Sequence, residues 1–223
     1  MAPVIKVVAI SGSLRKASFN SGLIRSVCPL LLSLRSIIYL DANPSMYLAN
    51  SVIFFFLFNS AIELSKSSVN GMQIEQIDIS QLPLLNTDLI ANGAYPPVVE
   101  AFRQKILRAD SILFASPENN YSLTAPLKNA IDWASLAPNC WGDKAAAVVS
   151  AGGGFGGGRS QYHLRQIGVY LDLHFINKPE FFLNAFQPPA KFDNDGNLID
   201  AEDKQKLKEI LVALRDFSLR LEK

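Results

Sequence analysis

The chain begins with a largely apolar run that leads directly into a loop rich in serine and glycine. Val4–Ile10 contains several β-branched residues, and Ile10–Asn20 reads ISGSLRKASFN. An apolar run followed by glycine, hydroxyl residues and helix-capping residues predicts a strand, a loop and a helix N-terminus. Such a loop aims backbone N–H groups at an anion from the start of a helix. The sequence therefore predicts an anion site at this first junction.

Several side chains of this loop are candidates for holding a phosphate. They are Ser11, Ser13, Arg15, Ser18 and Asn20. Hydroxyls donate single hydrogen bonds, whereas an arginine guanidinium binds phosphate oxygens in a bidentate fork. The Gly-Lys-Ser/Thr ending of a triphosphate-binding loop is missing, so a monophosphate fits better. Ordinary helix capping by Ser18 or Asn20 is the alternative interpretation, and it needs no ligand.

The pattern of apolar runs predicts one α/β domain with a parallel sheet. The predicted strands are Val4–Ile10, Met72–Ile79, Ser111–Ser116, Ala145–Ala151 and Leu171–Asn177. The predicted helices are Pro97–Arg108, Pro126–Ala134, Arg159–Tyr170 and Ala201–Leu221. Strands that alternate with amphipathic helices form sheets covered on both faces. An anion loop after the first strand favours a flavodoxin-like three-layer α/β/α fold with a five-stranded sheet in the order 2-1-3-4-5, whose ligands bind beyond the carboxyl ends of the strands.

Two later segments carry further candidates for binding. Ser116–Trp133 follows the third predicted strand, and Pro117, Asn119 and Asn120 favour a turn near its start. Ser150–Gln161 follows the fourth predicted strand and is rich in glycine, which lets the backbone approach a flat ligand closely. In the predicted fold, both segments lie at the same edge of the sheet as the anion loop.

The glycine-rich segment also has a competing interpretation as a dinucleotide fingerprint. Gly152, Gly154 and Gly157 match G-x-G-x-x-G, and Asp172 follows at the distance expected for a ribose contact. Its place in the chain argues against this interpretation, because the fingerprint belongs to the first strand of a mononucleotide-binding half. Here it follows the fourth predicted strand.

Composition excludes several functional classes. The chain has 2 Cys and 2 His, with no Cys-x-x-Cys pair, so neither a zinc site nor a disulfide framework is indicated. No histidine accompanies a serine or cysteine nucleophile, so a hydrolase triad is not supported and we expect no catalytic side chain and no metal. A formal net charge of +1 does not favour nucleic acid. No secretory signal is visible, which makes a cytoplasmic location the expectation.

The segment Val27–Ser60 interrupts this economical pattern. It is far more apolar than a connection between a first helix and a second strand should be. If it is removed, Ser26 joins Ala61 and the flanking residues form one amphipathic helix. We therefore interpret it as an insert within the first helix and favour a translated retained intron, since Val-Cys can be encoded by a donor-site GTATGT. A docking segment and a membrane span over Ala42–Ile62 are the alternatives, although polar residues dilute that span and do not favour membrane association.

Three motifs taken together resemble the NADPH-dependent FMN reductase family, in particular plant-type NAD(P)H:quinone reductases. They are GSLRKASFN, SPENNYSLTAPLKNAIDW and AGGGFGGGRSQYHLRQ. The resemblance implies FMN as cofactor, NADPH or NADH as co-substrate, and two-electron ping-pong transfer to a quinone. It also implies a homodimer or homotetramer with active sites at the subunit contact.

The same resemblance implies a role for each candidate residue. Ser11, Ser13, Arg15, Ser18 and Asn20 would hold the FMN phosphate; Pro117, Glu118, Asn119 and Asn120 would run along the flavin ring; and Ser150, Gly152, Gly153 and Gly156 would cradle its pyrimidine side. The family usually has tyrosine where this chain has Asn119, so we expect weaker flavin retention here than in an Asn119→Tyr variant. A flavin-binding electron carrier and an inactive product of the insert are the alternative functions.

Overall fold

A parallel sheet forms the centre of the protein in the computed structural model, which describes residues 3–28 and 69–221. Its main strands are β1 (Ile5–Ser11), β2 (Met72–Ile77), β3 (Ser111–Ala115), β4 (Lys144–Gly152) and β5 (Leu173–Phe175). They pair in the order β2-β1-β3-β4-β5, and every pair is parallel. The predicted strand order is confirmed.

Helices cover both faces of this sheet. They are α1 (Phe19–Val27), α2 (Pro97–Arg108), α3 (Ala125–Ser135), α4 (Gly158–Leu171) and α5 (Ala201–Leu221). Apolar residues of α1 and α5 pack on one face, and those of α2, α3 and α4 pack on the other. Successive residues of β4 alternate between the two cores, and all five residues of β3 are buried. Burial on both faces explains why these strands are continuously apolar, and it confirms the flavodoxin-like three-layer fold.

The edge of the sheet beyond β4 differs from the predicted one. The fifth strand was expected over Leu171–Asn177, but α4 continues through Leu171, and β5 spans only Leu173–Phe175. A sixth strand that the sequence did not predict, β6 (Phe182–Asn184), pairs with the carboxyl half of β4. The fifth position of the sheet is therefore divided between two short strands, and the intervening Pro179 has no N–H to donate to a ladder.

The first helix is intact up to the start of the predicted insert. α1 ends at Val27, and the N–H of Cys28 donates to the carbonyl of Ile24. Val27 and Cys28 are both buried in the core beside β2. The rest of the predicted insert, the continuation of the helix from Ala61 and the candidate span Ala42–Ile62 lie outside the described residues. Among the helices that are described, none is long and apolar enough to cross a membrane.

Candidate functional site

Three loops meet at the carboxyl edge of the sheet and enclose a cleft of about 660 Å³. They are the first loop (residues 11–18, between β1 and α1), the middle loop (residues 116–124, between β3 and α3) and the glycine loop (residues 152–157, between β4 and α4). The predicted site residues that line the cleft are Ser13, Arg15, Ser18, Asn20, Pro117, Glu118, Asn119, Gly152 and Gly153. The fold thus brings together residues from all three predicted segments.

The first loop is fixed where it leaves β1. The N–H of Gly12 donates to the carbonyl of Ala115 at 3.0 Å, and the Thr124 hydroxyl donates to the carbonyl of Gly12 at 2.6 Å. A Cβ at Gly12 would lie 2.9 Å from Cδ of Pro117, so a side chain does not fit between the first and middle loops. The first loop is therefore held against β3 by a backbone hydrogen bond and against the middle loop by the Thr124 side chain.

Two of the predicted phosphate ligands make hydrogen bonds within the protein. Ser18 caps α1, and its hydroxyl accepts from the N–H of Ser21 at 3.4 Å. Asn20 pairs with the backbone of Ala151, donating from Nδ2 to the carbonyl at 2.8 Å and accepting from the N–H at 3.0 Å. Ser18 therefore acts as the N-cap of α1, and Asn20 joins the first turn of α1 to the end of β4. The N–H groups of Phe19 and Asn20, at the start of α1, have no carbonyl partner within the helix and remain suited to an anion.

The first predicted ligand, Ser11, lies behind the first loop rather than in the cleft. Its hydroxyl is 2.9 Å from that of Ser21 and accepts from the N–H of Ser13 at 3.3 Å. Arg15 and Ser13 line the cleft from the loop itself. Ser11 thus bonds to its neighbours within the protein, while Ser13 and Arg15 face the cleft.

The middle loop closes on itself in a tight turn. Asn119 and Ser122 exchange both backbone hydrogen bonds at 2.9 Å, and the two residues between them have left-handed backbones, with φ of 49° at Asn120 and 65° at Tyr121. The exposed Asn119 lines both the cleft and a neighbouring cavity of about 620 Å³ between α3 and α4, whereas Asn120 lines the neighbouring cavity and not the cleft. The contact of Asn120 with the flavin ring stays a prediction.

The glycine loop is supported from beneath by Ser150. This fully buried hydroxyl donates to the carbonyl of Gly156 at 2.6 Å and accepts from Gln161 at 2.8 Å. Gly156 has φ of 57°, and a Cβ there would lie 2.6 Å from the backbone of Phe182 in β6. Ser150 and Gly156 therefore hold the shape of the loop, and Gly152 and Gly153 are the predicted glycines that line the cleft.

The dinucleotide interpretation of these glycines does not agree with the fold. Asp172 is the residue that ends α4, with φ of 61°, whereas Gly157 precedes the same helix. The 14 residues of α4 separate the two by about 21 Å at 1.5 Å per residue. Asp172 consequently lies at the opposite end of the helix from the cleft.

The sequence did not reveal every residue of the cleft. Phe19, Thr124, Ala151 and Phe186 also line it. Thr124 directly precedes α3, so its position before Ala-Pro was a readable helix-start signal. Phe186 follows β6, a strand too short to produce a periodic pattern, and no sequence signal placed it here.

A loop near the C-terminus holds α1 from behind, and we term residues 191–200 the C-terminal clamp. The ring of Phe192 stacks on that of Phe19 with centroids 4.5 Å apart. Arg25, which is 7% exposed, donates to Oδ1 of Asn197 at 2.8 Å and to the carbonyl of Asp195 at 3.1 Å. The start of α1 is thus positioned by packing that no motif in the first loop indicated.

Backbone approaches tighten this contact further. A Cβ on Gly22 would lie 1.8 Å from the carbonyl oxygen of Gly196, and a Cβ on Gly196 would lie 2.6 Å from that of Ala17. Within the clamp, burial raises the pKa of Asp193, but hydrogen bonds from the side chain and N–H of Asn197 outweigh it and lower the pKa overall. The clamp is therefore a turn stabilised by its own hydrogen bonds, and it packs directly against α1.

The cleft lies beyond the carboxyl ends of the parallel strands, where the strand order reverses between β1 and β3. This arrangement defines a flavodoxin-like protein. The chain belongs to the NADPH-dependent FMN reductase family, whose model matches residues 54–188. It is 60% identical over 220 residues to the NADPH:quinone oxidoreductase of Arabidopsis thaliana, covering 99% of this chain and 95% of the relative. It is also 60% identical over 219 residues to the NAD(P)H:quinone oxidoreductase of Solanum tuberosum, covering 98% of this chain and 95% of the relative.

A solved structure shows the same fold. FerB, a flavoenzyme NAD(P)H:(acceptor) oxidoreductase from Paracoccus denitrificans, superposes with a TM-score of 0.69 at 24% identity and covers 97% of this chain and 98% of its own. This likeness agrees with the strand order seen here and extends over nearly the whole chain.

Proposed function

We propose that this chain is an FMN-dependent NAD(P)H:quinone oxidoreductase. The observation that carries the proposal is the cleft, in which the first, middle and glycine loops contribute the residues of all three motifs. Family membership and the names of the plant relatives support the same activity. The proposal covers the chemistry of the cleft, and it assigns no role to an acid, a base or a metal.

The cleft fits FMN at both of its ends. At one end, Arg15, Ser13 and the first N–H groups of α1 offer positive charge and donors to a phosphate. At the other end, a Cβ on Gly153 or Gly154 would meet nothing within 4 Å, so the backbone leaves open space for a flat ring. The volume of about 660 Å³ lies within the usual range for cofactor pockets.

Bound FMN would supply the redox chemistry, accepting a hydride from the nicotinamide and passing two electrons to the quinone. The protein binds and orients the ligands. Arg15 and the dipole of α1 would offset the phosphate charge, and Asn20 holds the first turn of α1 against the end of β4 by pairing with Ala151. Glu118, the acidic residue of the cleft wall, is paired with Arg159, which limits its repulsion of anionic ligands.

The activity is tested by measuring NADPH oxidation with and without a quinone. We expect the purified chain to bind FMN and to oxidise NADPH rapidly only when quinone is present. A flavin-binding electron carrier would bind FMN but would not oxidise NADPH with quinone. Failure to bind FMN would contradict both functions.

The predicted insert, Val27–Ser60, bears on whether this chain folds and binds FMN. We infer that it is an insertion within the first helix and that the remaining chain forms one domain. Its removal would place Ala61 and Ile62 where Val27 and Cys28 are now buried, and both replacements are apolar. We expect the shortened chain to bind at least as much FMN per protein as the full chain; a lower FMN content would contradict the insert assignment. A gene without a GT…AG pair at these two boundaries would exclude the retained-intron origin.

We also propose a cytoplasmic homodimer or homotetramer. Exposed apolar side chains support an assembly: Val169 and Tyr170 at the end of α4 are 82% and 88% exposed, and Leu84 is 80% exposed. Light scattering of the purified chain tests the assembly, and a monomer at micromolar concentration would contradict it.

A further inference from the structure

An arginine lies between two exposed aromatic rings beside the cleft. The guanidinium carbon of Arg159 is 4.2 Å from the ring centroid of Tyr121 and 4.5 Å from that of Phe155. Both distances are within the range of cation–π attraction. Tyr121 belongs to the middle loop and Phe155 to the glycine loop, so one side chain contacts both. The two residues remain 66% and 54% exposed, which shows that this contact does not serve the hydrophobic core.

The same arginine makes an ion pair with the wall of the cleft. Its Nη1 donates to Oε1 of Glu118 at 3.1 Å, and its backbone N–H donates to Oε2 at 3.0 Å. The Glu118 side chain is only 15% exposed, and it lines the cleft. Because Arg159 is the second residue of α4, the carboxylate also lies at the positive end of that helix. Arg159 therefore fixes Glu118 through both its side chain and its backbone.

The turn of the middle loop contains a strained residue that this contact explains. Tyr121 has φ of 65°, in a position where such turns prefer glycine. A tyrosine adopts this backbone only when the surrounding structure holds it there. Its ring rests on Arg159, which provides the holding contact.

We propose that Arg159 is a positioning residue that ties the middle loop to the glycine loop and so preorganises the two walls between which the flavin ring binds. It acts through Glu118, Tyr121 and Phe155 and does not itself line the cleft. The inference rests on the proposed function, since it assigns the two loops to the ring of FMN. It leaves the phosphate end, formed by the first loop and α1, independent of Arg159.

Comparison of FMN with riboflavin distinguishes binding at the two ends of the cleft, because riboflavin has the ring of FMN without the phosphate. We expect Arg159→Lys, which keeps the positive charge but loses the guanidinium that contacts both rings, to raise the dissociation constants of FMN and riboflavin by the same factor of about ten. Arg159→Gln should weaken both further. Unchanged binding of both flavins, or weakening of FMN alone, would overturn the proposal. The melting temperature of each apoprotein shows whether the fold persists.

Arg165→Lys is the matched control. Arg165 belongs to the same helix and contacts the ring of Phe175 at 5.2 Å, but it donates to the carbonyl of Ile176 and touches neither loop. We expect its substitution to change flavin binding by less than about twofold. A loss of flavin affinity as large as that of Arg159→Lys would mean that α4 as a whole, and not the contact of Arg159 with Tyr121 and Phe155, governs flavin binding.

Tyr121→Gly tests the stack by a different route. Glycine relieves the backbone strain at φ of 65°, so strain alone predicts a more stable protein and tighter binding. Loss of the ring from Arg159 predicts the opposite for binding, and we expect both flavins to weaken by about threefold without a fall in melting temperature. Binding as tight as in the unaltered chain would overturn the proposal.

Amide hydrogen exchange of the apoprotein needs no flavin. We expect Arg159→Gln to accelerate exchange in residues 117–123 and 152–158 but not in residues 12–18. Unaltered exchange rates in residues 117–123 and 152–158 would contradict the proposal that Arg159 joins the middle loop to the glycine loop. If the unaltered chain bound no flavin, the proposed function would fail while this comparison still decided whether Arg159 joins the loops.

Discussion

The two ends of the cleft are held by different kinds of contact. The phosphate end depends on α1, which the C-terminal clamp supports through the close approach of Gly22 to Gly196 and through the buried Arg25. The ring end depends on Arg159, whose side chain is 40% exposed and stacks between two exposed rings. Close backbone packing tolerates no added atom, whereas an exposed stack can weaken by degrees.

This difference also explains how α1 exists in a chain with the predicted insert. A nine-residue helix such as α1 is too short to be stable by itself in water. Contacts from the clamp and burial of Leu23, Ile24 and Val27 supply what local propensity does not. Tertiary packing, and not helix length, therefore positions the anion end of the cleft.

Gly22→Ala is expected to have the largest effect, because it breaks the phosphate end. Alanine normally favours a helix over glycine by about 1 kcal/mol, but here its Cβ would lie 1.8 Å from the carbonyl oxygen of Gly196. α1 and the clamp must separate, so we expect FMN affinity to fall by about thirtyfold or more and riboflavin affinity to fall much less. Fluorescence titration with both flavins measures the two constants.

The control for this substitution is Gly142→Ala. A Cβ at Gly142 would be 3.5 Å from the nearest atom, an ordinary contact far from the clamp. We expect it to leave both flavin constants unchanged. Equal losses of FMN and riboflavin in Gly22→Ala would remove the distinction between the two ends of the cleft.

The strand order and the three loops were predictable because each carries a local signal. The apolar run Ile112–Ala115 of β3 reflects burial on both faces of the sheet, and the glycines after β4 reflect close backbone approach. The clamp was not predictable, since its contact with α1 joins residues about 170 positions apart in sequence. Nothing local marks Gly22 and Gly196 as partners.

The roles of individual site residues show the same limit. The motif indicated that Ser150 and Gly156 lie near each other in sequence, but only the fold shows that the Ser150 hydroxyl, at the end of β4, donates to the carbonyl of Gly156 in the glycine loop. Similarly, Arg159 read as the start of a helix, and its ion pair with Glu118 depends on the pairing of β3 with β4. Sequence patterns predict which segments reach the cleft; three-dimensional packing decides which side chains face it.

Asn119→Tyr sharpens the ring end, with a smaller expected effect. Asn119 is exposed at the cleft, and its backbone is already engaged with Ser122, so a larger ring can be added without breaking the turn. We expect the aromatic surface to tighten FMN and riboflavin binding equally, by about threefold. Equal dissociation constants for the variant and the unaltered chain would contradict the expectation. Tightening of FMN alone would place the residue at the phosphate end instead.

The smallest effect is expected from acid, which loosens the clamp gradually. The folded pKa of Asp193 lies below that of an unfolded aspartate, about 3.9, so its carboxylate contributes stability above that pH and loses it as the pH falls through the folded value. Asp193→Asn should therefore lower the melting temperature at pH 6, and the difference from the unaltered chain should shrink steadily below about pH 4. A difference that stayed constant down to pH 2.5 would show that hydrogen-bond geometry, and not the ionised carboxylate, holds the clamp against α1. Between pH 5 and 8 this group stays ionised, so neither end of the cleft should respond to pH through Asp193.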